Sequence, residues 1–168
     1  MVGTLSGPEC PSALAGRSYS SVALIFLPRQ LLFVMVHDDP EKRGTVYRKL
    51  PGGNVDPCDK NDPFKTVIRE VAEETGIVDP DTVTFRSKED KGDYDRYLFL
   101  VVKHYSGEEW KQNPLKKVGD EGEIVVTCPV ENFFSRVDGL PDLLPNHDDL
   151  LYRVGVKKEI QDTLKKSA

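Results

Sequence analysis

Three glutamates and an arginine stand close together in this chain, at Arg69, Glu70, Glu73 and Glu74. In a helix, like charges at these spacings repel each other by a few tenths of a kcal/mol per pair. A divalent cation between the carboxylates would offset that repulsion, because hard cations such as Mg²⁺ prefer carboxylate oxygens. The spacing therefore indicates a metal-binding site, although an acidic run can also be the solvated face of a surface helix.

The segment around these residues has the signals of one capped helix. Asp62 is a good N-cap residue, Pro63 suits the first helical position, and Gly76 suits the left-handed residue that ends a helix. We therefore predict a helix over residues 62–75, with its glutamates on one face and an apolar stripe on the other. The residues of that stripe are Phe64, Val67, Ile68, Val71 and Ala72.

Two adjacent glycines, Gly52 and Gly53, end an apolar β-type segment shortly before this helix. A glycine has no Cβ, so its backbone can approach a ligand closely. A strand, a glycine turn, a short loop and a helix would bring the Gly53 carbonyl near the carboxylates of Glu70, Glu73 and Glu74. Oxygen ligands of these two kinds, completed by water, suit Mg²⁺ or Mn²⁺.

With these residues described, the chain resembles the Nudix hydrolases. The family motif runs glycine, five residues, glutamate, seven residues, and then R-E-U-x-E-E-x-G-U, where U is aliphatic. Residues 69–77 match the second half at every defined position. Between Gly53 and Arg69 the chain is two residues longer than the motif, and Asn61 stands where the first glutamate is expected, counting back from Arg69.

We expect the two extra residues to lie in the segment 56–60, which has turn chemistry. Asp59 or Asp62 could supply a substitute for the first glutamate. The departure affects one position of the motif and leaves the predicted metal-binding helix intact.

The resemblance implies an α/β fold, a Nudix-type α/β/α sandwich with a mixed β-sheet. It also implies a Mg²⁺- or Mn²⁺-dependent enzyme that cleaves a diphosphate linkage. In such a reaction the cation neutralises phosphate oxygens and makes water more acidic, and a carboxylate takes the proton. Glu70, Glu73, Glu74 and the Gly53 carbonyl are the predicted metal ligands, and the resemblance implies that Arg69 orients the carboxylates.

The general base varies within the family. Here residues 119–123 form an acidic, glycine-flanked loop before a strand, and Glu123 at the strand entry is our first candidate. Glu121 and Glu70 are alternatives, and the loop could also be an ordinary acidic turn.

Candidate substrate-binding residues lie in two places. Trp110 stands in a polar segment, where it could stack on a nucleobase or cover a sheet edge. Arg48 and Lys49 precede the glycines in a predicted strand, so at most one of them faces the cleft.

The elements around the motif fit the same fold class. Apolar β-type runs are separated by turn residues, and two helices are predicted after them, at 130–137 and 146–166. The predicted strands are 21–27, 30–37, 45–50, 82–86, 96–104 and 123–128.

Composition limits the remaining choices. The chain has 168 residues, which suits a single domain; we expect a flexible N-terminal tail over residues 1–17 and a Nudix domain over 18–168. The formal charge of −5 argues against nucleic acid as a partner and leaves a small nucleotide or diphosphate as the expected substrate.

No apolar run approaches the roughly 20 residues that cross a bilayer. Three scattered cysteines indicate a reducing, cytoplasmic location.

Three functions remain open at this point. The first is hydrolysis of a nucleoside diphosphate derivative or a nucleoside triphosphate. The second is an RNA 5′-end pyrophosphohydrolase of the same family, against which the acidic charge argues. The third is a non-catalytic nucleotide-binding Nudix domain, which the complete set of three helical glutamates disfavours. A homodimer is possible, and no surface in the sequence identifies it.

Overall fold

The computed structural model describes residues 4–6, 16–27, 30–37, 46–104, 114–120, 122 and 124–129. These residues form one mixed sheet of eight strands and one α-helix. The helix α1 is Pro63–Thr75, and a single 3-10 turn, Pro57–Asp59, precedes it. The strands are β1 (Thr4–Ser6), β2 (Ser18–Leu27), β3 (Gln30–His37), β4 (Val46–Lys49), β5 (Gly52–Asn54), β6 (Thr82–Asp90), β7 (Tyr94–Val102) and β8 (Ile124–Pro129).

The long strand β2 is central to the sheet. It pairs antiparallel with β3 and β5 on one edge and parallel with β7 on the other. Strand β7 pairs antiparallel with β6, which pairs parallel with β1. Strand β3 also pairs antiparallel with β4 and β8. The sheet thus contains both orientations, and the predicted α/β class with a mixed sheet is confirmed.

The core lies between α1 and one face of β2, β6 and β7. Every second residue of β2 faces the helix, from Tyr19 to Leu27, because side chains alternate along a strand. Val67 and Val71 are the fully buried part of the predicted helical stripe. Phe64 and Ile68 are half-buried and pack against the same cluster. The hydrophobic pattern therefore fixes which face of α1 points away from solvent.

Several element boundaries differ from the sequence-based expectation. Strands β6 and β7 are one hairpin closed by a short turn, and β6 continues four residues past its predicted end at 86. A bulge between Phe85 and Ser87 shifts the register within that pair. Residues 4–6, inside the predicted tail, pair with Thr82–Thr84.

The predicted helices at 130–137 and 146–166 lie outside the described residues, so the structure does not test them. In the part of the chain that is described, no helix is long and apolar enough to cross a membrane.

Candidate active site

Helix α1 begins and ends as its sequence predicts. The Asp62 side chain accepts a hydrogen bond of 3.0 Å from the Phe64 N–H, and Pro63 occupies the first turn. Gly76 has φ 85° and donates its N–H to the Ala72 carbonyl at 3.0 Å. These caps fix the register of the helix, and hence the positions of its arginine and glutamates, relative to the sheet.

Arg69 uses all of its hydrogen-bond donors. Its Nε and Nη2 bind the two carboxylate oxygens of Asp59 at 3.0 Å each, and Nη2 also donates to the Asn54 carbonyl at 3.2 Å. Its Nη1 donates to Glu70 Oε1 and to Glu73 Oε2, both at 3.1 Å. A guanidinium has five N–H groups, and here each has one acceptor. Arg69 therefore fixes two of the predicted metal ligands in one orientation.

Asp59 is the buried partner of Arg69, with 2% of its surface exposed. Besides Arg69, it accepts hydrogen bonds from the Asp56 N–H at 2.9 Å and from Thr66 Oγ1 at 2.8 Å. Burial alone would raise its pKa, but these bonds outweigh the burial and lower the pKa of Asp59 to about 2. The Tyr19 hydroxyl lies 2.7 Å from Thr66 Oγ1 and continues the network into the core.

Counting back from Arg69 leads to Asn61, but the carboxylate that pairs with Arg69 is Asp59, one of the two aspartates expected to substitute for the first glutamate. Asn61 is exposed and does not supply it, and of the two aspartates considered, Asp62 caps the helix while Asp59 binds Arg69. Counting five residues on from Gly53 leads directly to Asp59, so the sequence held this signal.

The extra chain length follows Asp59 rather than preceding it. Lys60 and Asn61 both have left-handed backbone angles, with φ of 53° and 58°. Two consecutive non-glycine residues in this region are uncommon. They form a compact link between the 3-10 turn that holds Asp59 and the N-cap of α1.

The glycines place the backbone of β5 against the helix. A Cβ on Gly53 would lie 2.5 Å from Glu70 Oε1, so the carboxylate fills the space that any other side chain would need. Gly52 has φ 150°, and a Cβ there would overlap the Ser21 carbonyl of β2. The predicted approach of the glycine turn to the helical carboxylates is therefore present.

Glu74 differs from the other two glutamates because it is buried, with 5% of its surface exposed. Its Oε2 accepts a hydrogen bond of 3.2 Å from the Gly52 N–H, and its Oε1 lies 3.7 Å from Lys49 Nζ. Lys49 also donates to the Gly52 carbonyl at 3.1 Å. Of the three glutamates predicted to share one face of the helix, Glu74 is thus the one that turns toward the glycine strand and is buried.

The donor set suits a hard divalent cation. Glu70 and Glu73 converge on one nitrogen of Arg69, and Glu70 touches Gly53, whose missing Cβ leaves room at the carboxylate. Burial raises the pKa of Glu70, with Arg69 opposing that effect, and a cation would offset the cost of keeping this carboxylate charged. Among the described residues, no three acidic, histidine or cysteine side chains are grouped tightly enough to hold a metal ion as they stand. For Glu74 to bind the same cation as Glu70 and Glu73, its carboxylate would have to turn away from the Gly52 N–H.

A loop packs on the C-terminus of α1. Lys116 Nζ donates to the Glu73 carbonyl at 2.9 Å and to the Asp120 carboxylate at 2.8 Å. The backbone N–H groups of Lys116 and Asp120 bind the carbonyls of Thr75 and Glu73, at 2.9 and 3.2 Å. Lysine and these N–H groups satisfy carbonyls that a helix end leaves unpaired. This contact was not predictable from the residues of the helix, and it brings Asp120 beside Glu73.

The remaining predicted residues divide into three groups. Lys49 lies at the site, next to Glu74. Arg48 is buried, with 6% of its surface exposed, on the neighbouring position of β4. Glu121, Glu123 and Trp110 lie outside the described residues, so their predicted roles are untested by the structure.

A sequence model described as the NUDIX domain matches residues 17–153. No curated protein sequence matches the chain significantly.

Solved structures with this fold share little sequence with the chain. A mutT/nudix family protein from Listeria innocua has a TM-score of 0.60 at 16% identity, with 88% of this chain and 96% of that one covered. A Caenorhabditis elegans Ap4A hydrolase binary complex has 0.53 at 14% identity, covering 88% and 98%. A bifunctional NMN adenylyltransferase/ADP ribose pyrophosphatase from Francisella tularensis, complexed with AMP and a manganese ion, has 0.56 at 18% identity, covering 85% and 42%.

Proposed function

We propose a reaction for this chain from the premise that it belongs to the Nudix hydrolase family. The chain is a pyrophosphohydrolase of that family. Its substrate, we propose, is a nucleoside diphosphate derivative or a nucleoside triphosphate, and Mg²⁺ or Mn²⁺ is required. The names of two structural neighbours, which refer to Ap4A and ADP ribose, support a small nucleotide substrate.

The observation that carries this proposal is the arrangement around Arg69. One guanidinium holds Glu70 and Glu73 beside the backbone of Gly53, and Asp59 holds the guanidinium. A surface helix without a ligand would not need its arginine fixed by a buried aspartate. The arrangement is preorganised, so the carboxylates do not have to be ordered when a ligand binds.

Each residue of the site has a proposed task. A divalent cation held by Glu70, Glu73, Glu74 and the Gly53 carbonyl would neutralise diphosphate oxygens and acidify water at the site. Arg69 keeps Glu70 and Glu73 oriented, and Lys49 keeps positive charge beside Glu74, where it can also attract a phosphate.

The proton of the attacking water needs a carboxylate acceptor within hydrogen-bond reach. Glu123 remains our proposed base, and Glu121 is the alternative on the same loop. The contact of this loop with the end of α1, through Lys116, supports a base from that side. Glu70 is the alternative within the helix, since its raised pKa suits proton acceptance. Trp110 is proposed to stack on the base of the substrate.

The test is a substrate panel with purified protein. Nucleoside triphosphates, nucleotide sugars, dinucleoside polyphosphates and triphosphorylated RNA are assayed with Mg²⁺, with Mn²⁺ and with EDTA. We expect metal-dependent release of a nucleoside monophosphate or of diphosphate from at least one small nucleotide. Glu73→Gln should lower kcat by at least about 100-fold, as the loss of a group that binds an essential metal does.

Asp93→Asn is the matched control, because it also neutralises one carboxylate, at an exposed position of the β6–β7 turn. It should leave kcat within about twofold of the wild-type value. Turnover of triphosphorylated RNA alone would replace the nucleotide proposal with the RNA-end reaction. Metal-independent turnover, or none on any substrate, would contradict the proposal altogether.

We also propose that residues 18–168 act as one domain in the cytoplasm, because scattered cysteines suit a reducing compartment. Cys58, for example, is an exposed free thiol. Light scattering on the purified protein would decide between a monomer and the possible homodimer.

A further inference from the structure

A buried arginine on the sheet lies outside the site described above. Arg96 of β7 has 8% of its surface exposed. Within the described part of the chain, the hydrogen bond of its guanidinium runs from Nη2 to the Tyr94 hydroxyl at 3.0 Å, and Nε and Nη1 have no partner. A guanidinium is always charged, and burying it with two nitrogens unpartnered is unfavourable, although the Tyr94 ring, whose centroid lies 5.7 Å from the Arg96 guanidinium carbon, offsets part of that cost. The fold therefore retains a costly group that its own described residues do not satisfy.

Arg96 belongs to the face of the sheet opposite α1. Its neighbours Tyr97 and Asp95 point to the helix side, because Tyr97 is in the core cluster and successive side chains alternate. Strand register places Ser20 beside Arg96, and Asn54 beside Ser20. The Ser20 hydroxyl is also buried without a described partner. The three residues make a polar row across β5, β2 and β7, which we call the Arg96 row.

Asn54, at one end of the Arg96 row, contacts the proposed metal site through its backbone, while its side chain lies with Ser20 and Arg96 on the opposite face of the sheet from α1. Asn54 follows Gly53 directly, and its carbonyl accepts a hydrogen bond from Arg69. Neighbouring strands lie about 4.8 Å apart, so Arg96 is about 10 Å across the sheet from the Gly53 strand. That distance is longer than a diphosphate group, and Arg96 lies on the other face of the sheet, so a substrate held at the helix would reach Arg96 with a different part, which has to pass over β5.

The hydrogen-bonding groups of the Arg96 row determine which kind of substrate group could bind there. Arg96 offers N–H donors and a positive charge, and Ser20 adds a hydroxyl. Glu89, the register partner of Arg96 on β6, has its Oε1 3.9 Å from Lys91 Nζ. A neutral acceptor would satisfy the donors but would leave the charge uncompensated, whereas a phosphate satisfies both.

We propose that the Arg96 row binds a phosphate group of the substrate that is separate from the scissile diphosphate. This proposal rests on the proposed function and narrows the substrate class to compounds with such an additional phosphate. The phosphate could be a monoester on a sugar or a further member of a polyphosphate chain. Arginine would recognise the phosphate in the same way in both cases, and pairs of substrates that differ by one phosphate distinguish the two sources.

The first experiment compares pairs that differ by one phosphate. NADP⁺ against NAD⁺, and coenzyme A against dephospho-coenzyme A, test a sugar phosphate. Diadenosine tetraphosphate, compared with diadenosine triphosphate, tests a further phosphate in a polyphosphate chain. For wild-type protein we expect kcat/KM to favour the phosphate-rich member of at least one pair by about tenfold or more, the usual effect of a charge-assisted contact. Arg96→Gln should reduce that ratio below about twofold, mainly through KM.

Lys88→Gln is the control, because it removes one positive charge from β6, whose Lys88 lies on the helix side, across from Tyr97. It should keep the wild-type ratio. An equal kcat/KM for both members of every pair, or a ratio that Arg96→Gln leaves unchanged, overturns the proposal.

The second experiment does not depend on turnover. Inorganic tripolyphosphate in EDTA should raise the Tm of the wild type and of Lys88→Gln, and should leave the Tm of Arg96→Gln unchanged. Without ligand, Arg96→Gln should be at least as stable as the wild type, because it removes a buried charge that has no ion-pair contact among the described residues.

The experiments can reject the proposed reaction and the proposed phosphate site independently of each other. An Arg96-dependent Tm shift in a protein that hydrolyses nothing would reject the reaction and keep the phosphate site. Hydrolysis with no Arg96-dependent shift or preference would keep the reaction and reject the phosphate site. A large loss of stability in Arg96→Gln would show that Arg96 is structural and would also reject the site.

Discussion

Arg69 and Asp59 show how one side chain can fix several others. The guanidinium is planar and its five donors point in fixed directions, so Asp59 on one side determines where Glu70 and Glu73 are held on the other. A lysine at this position could not reach the same acceptors, since its ammonium group has three donors on a flexible stem. The orientation of the acidic groups therefore depends on a residue that need not touch the metal.

We expect Asp59→Asn to destabilise the protein by about 3 kcal/mol, because Arg69 loses the buried carboxylate that binds its Nε and Nη2 and keeps only Glu70 and Glu73 as anionic partners. Activity should also fall, since Glu70 and Glu73 lose their fixed orientation. Asp62→Asn is the matched control: asparagine caps a helix as well as aspartate does, so its cost should be below about 0.5 kcal/mol. Urea denaturation at pH 7 measures both, and equal costs for the two variants would contradict this role of Asp59.

The stability of the protein should also depend on pH through Asp59. Its pKa falls from 3.8 to about 2 on folding, so folding favours the charged form. The contribution, about 2 kcal/mol, is present above pH 4 and is lost as the pH falls toward 2. The difference in unfolding free energy between wild type and Asp59→Asn should therefore shrink between pH 5 and pH 2.5. A constant difference would show that the charge of Asp59 is irrelevant.

The two glycines should respond differently to a methyl group. In Gly53→Ala the new Cβ meets the end of a flexible carboxylate, so we expect Glu70 to move, kcat to fall about tenfold or more, and the Tm to change little. In Gly52→Ala the Cβ meets the backbone of β2, and φ is unfavourable for alanine, so the fold should lose roughly 2 kcal/mol or more. Thermal melts and kinetics on both variants test this contrast, and a similar Tm loss in both would contradict it.

At the scale of elements, helix α1 was predictable in full because its signals are local. Its caps, apolar stripe and first turn each depend on residues within the helix or next to it. The packing of residues 114–120 on its C-terminus was not predictable, because it joins segments about 40 residues apart and involves an exposed-looking lysine pair. The burial of Glu74 was missed for the same reason, since its partners lie on β4 and β5.

Lys116 should hold the acidic loop against the helix. We expect Lys116→Met to cost about 1 kcal/mol, because the Glu73 carbonyl and the Asp120 carboxylate lose a donor. Backbone amides of residues 114–120 should then exchange hydrogen faster, and kcat should fall if this loop carries the base. Lys117→Met is the control, since Lys117 is the exposed member of the pair. Equal exchange in the two variants would contradict the role of Lys116.

At the scale of the whole molecule, the sheet order and the Arg96 row show the limits of a single sequence. The strands were predictable from alternation and turn residues, but the order in which they pair depends on contacts across the chain. The helix that carries the proposed metal ligands was predictable because its residues are adjacent, and Asp59 was within reach of the sequence through its spacing from Gly53. The Arg96 row, by contrast, depends on which strands lie side by side.

Metal binding should stabilise the whole fold even without substrate. A ligand that binds only the folded state, at 100 times its Kd, adds about 2.7 kcal/mol. We therefore expect Mg²⁺ or Mn²⁺ to raise the Tm of the wild type by several degrees over EDTA, and the rise to shrink in Glu73→Gln but not in Asp93→Asn. Equal shifts in all three proteins would place the cation elsewhere.

Lys60 and Asn61 have a consequence for how such sites vary during evolution. Asp59 is fixed on one side by Arg69, and the helix is fixed on the other by its cap, so the link between them can change length without moving either end. The number of residues between the two halves of the motif is then only weakly constrained, whereas the contact between Asp59 and Arg69 is strongly constrained. Pattern searches with rigid spacing would overlook chains of this kind, and a comparison of which carboxylate reaches the arginine would recover them.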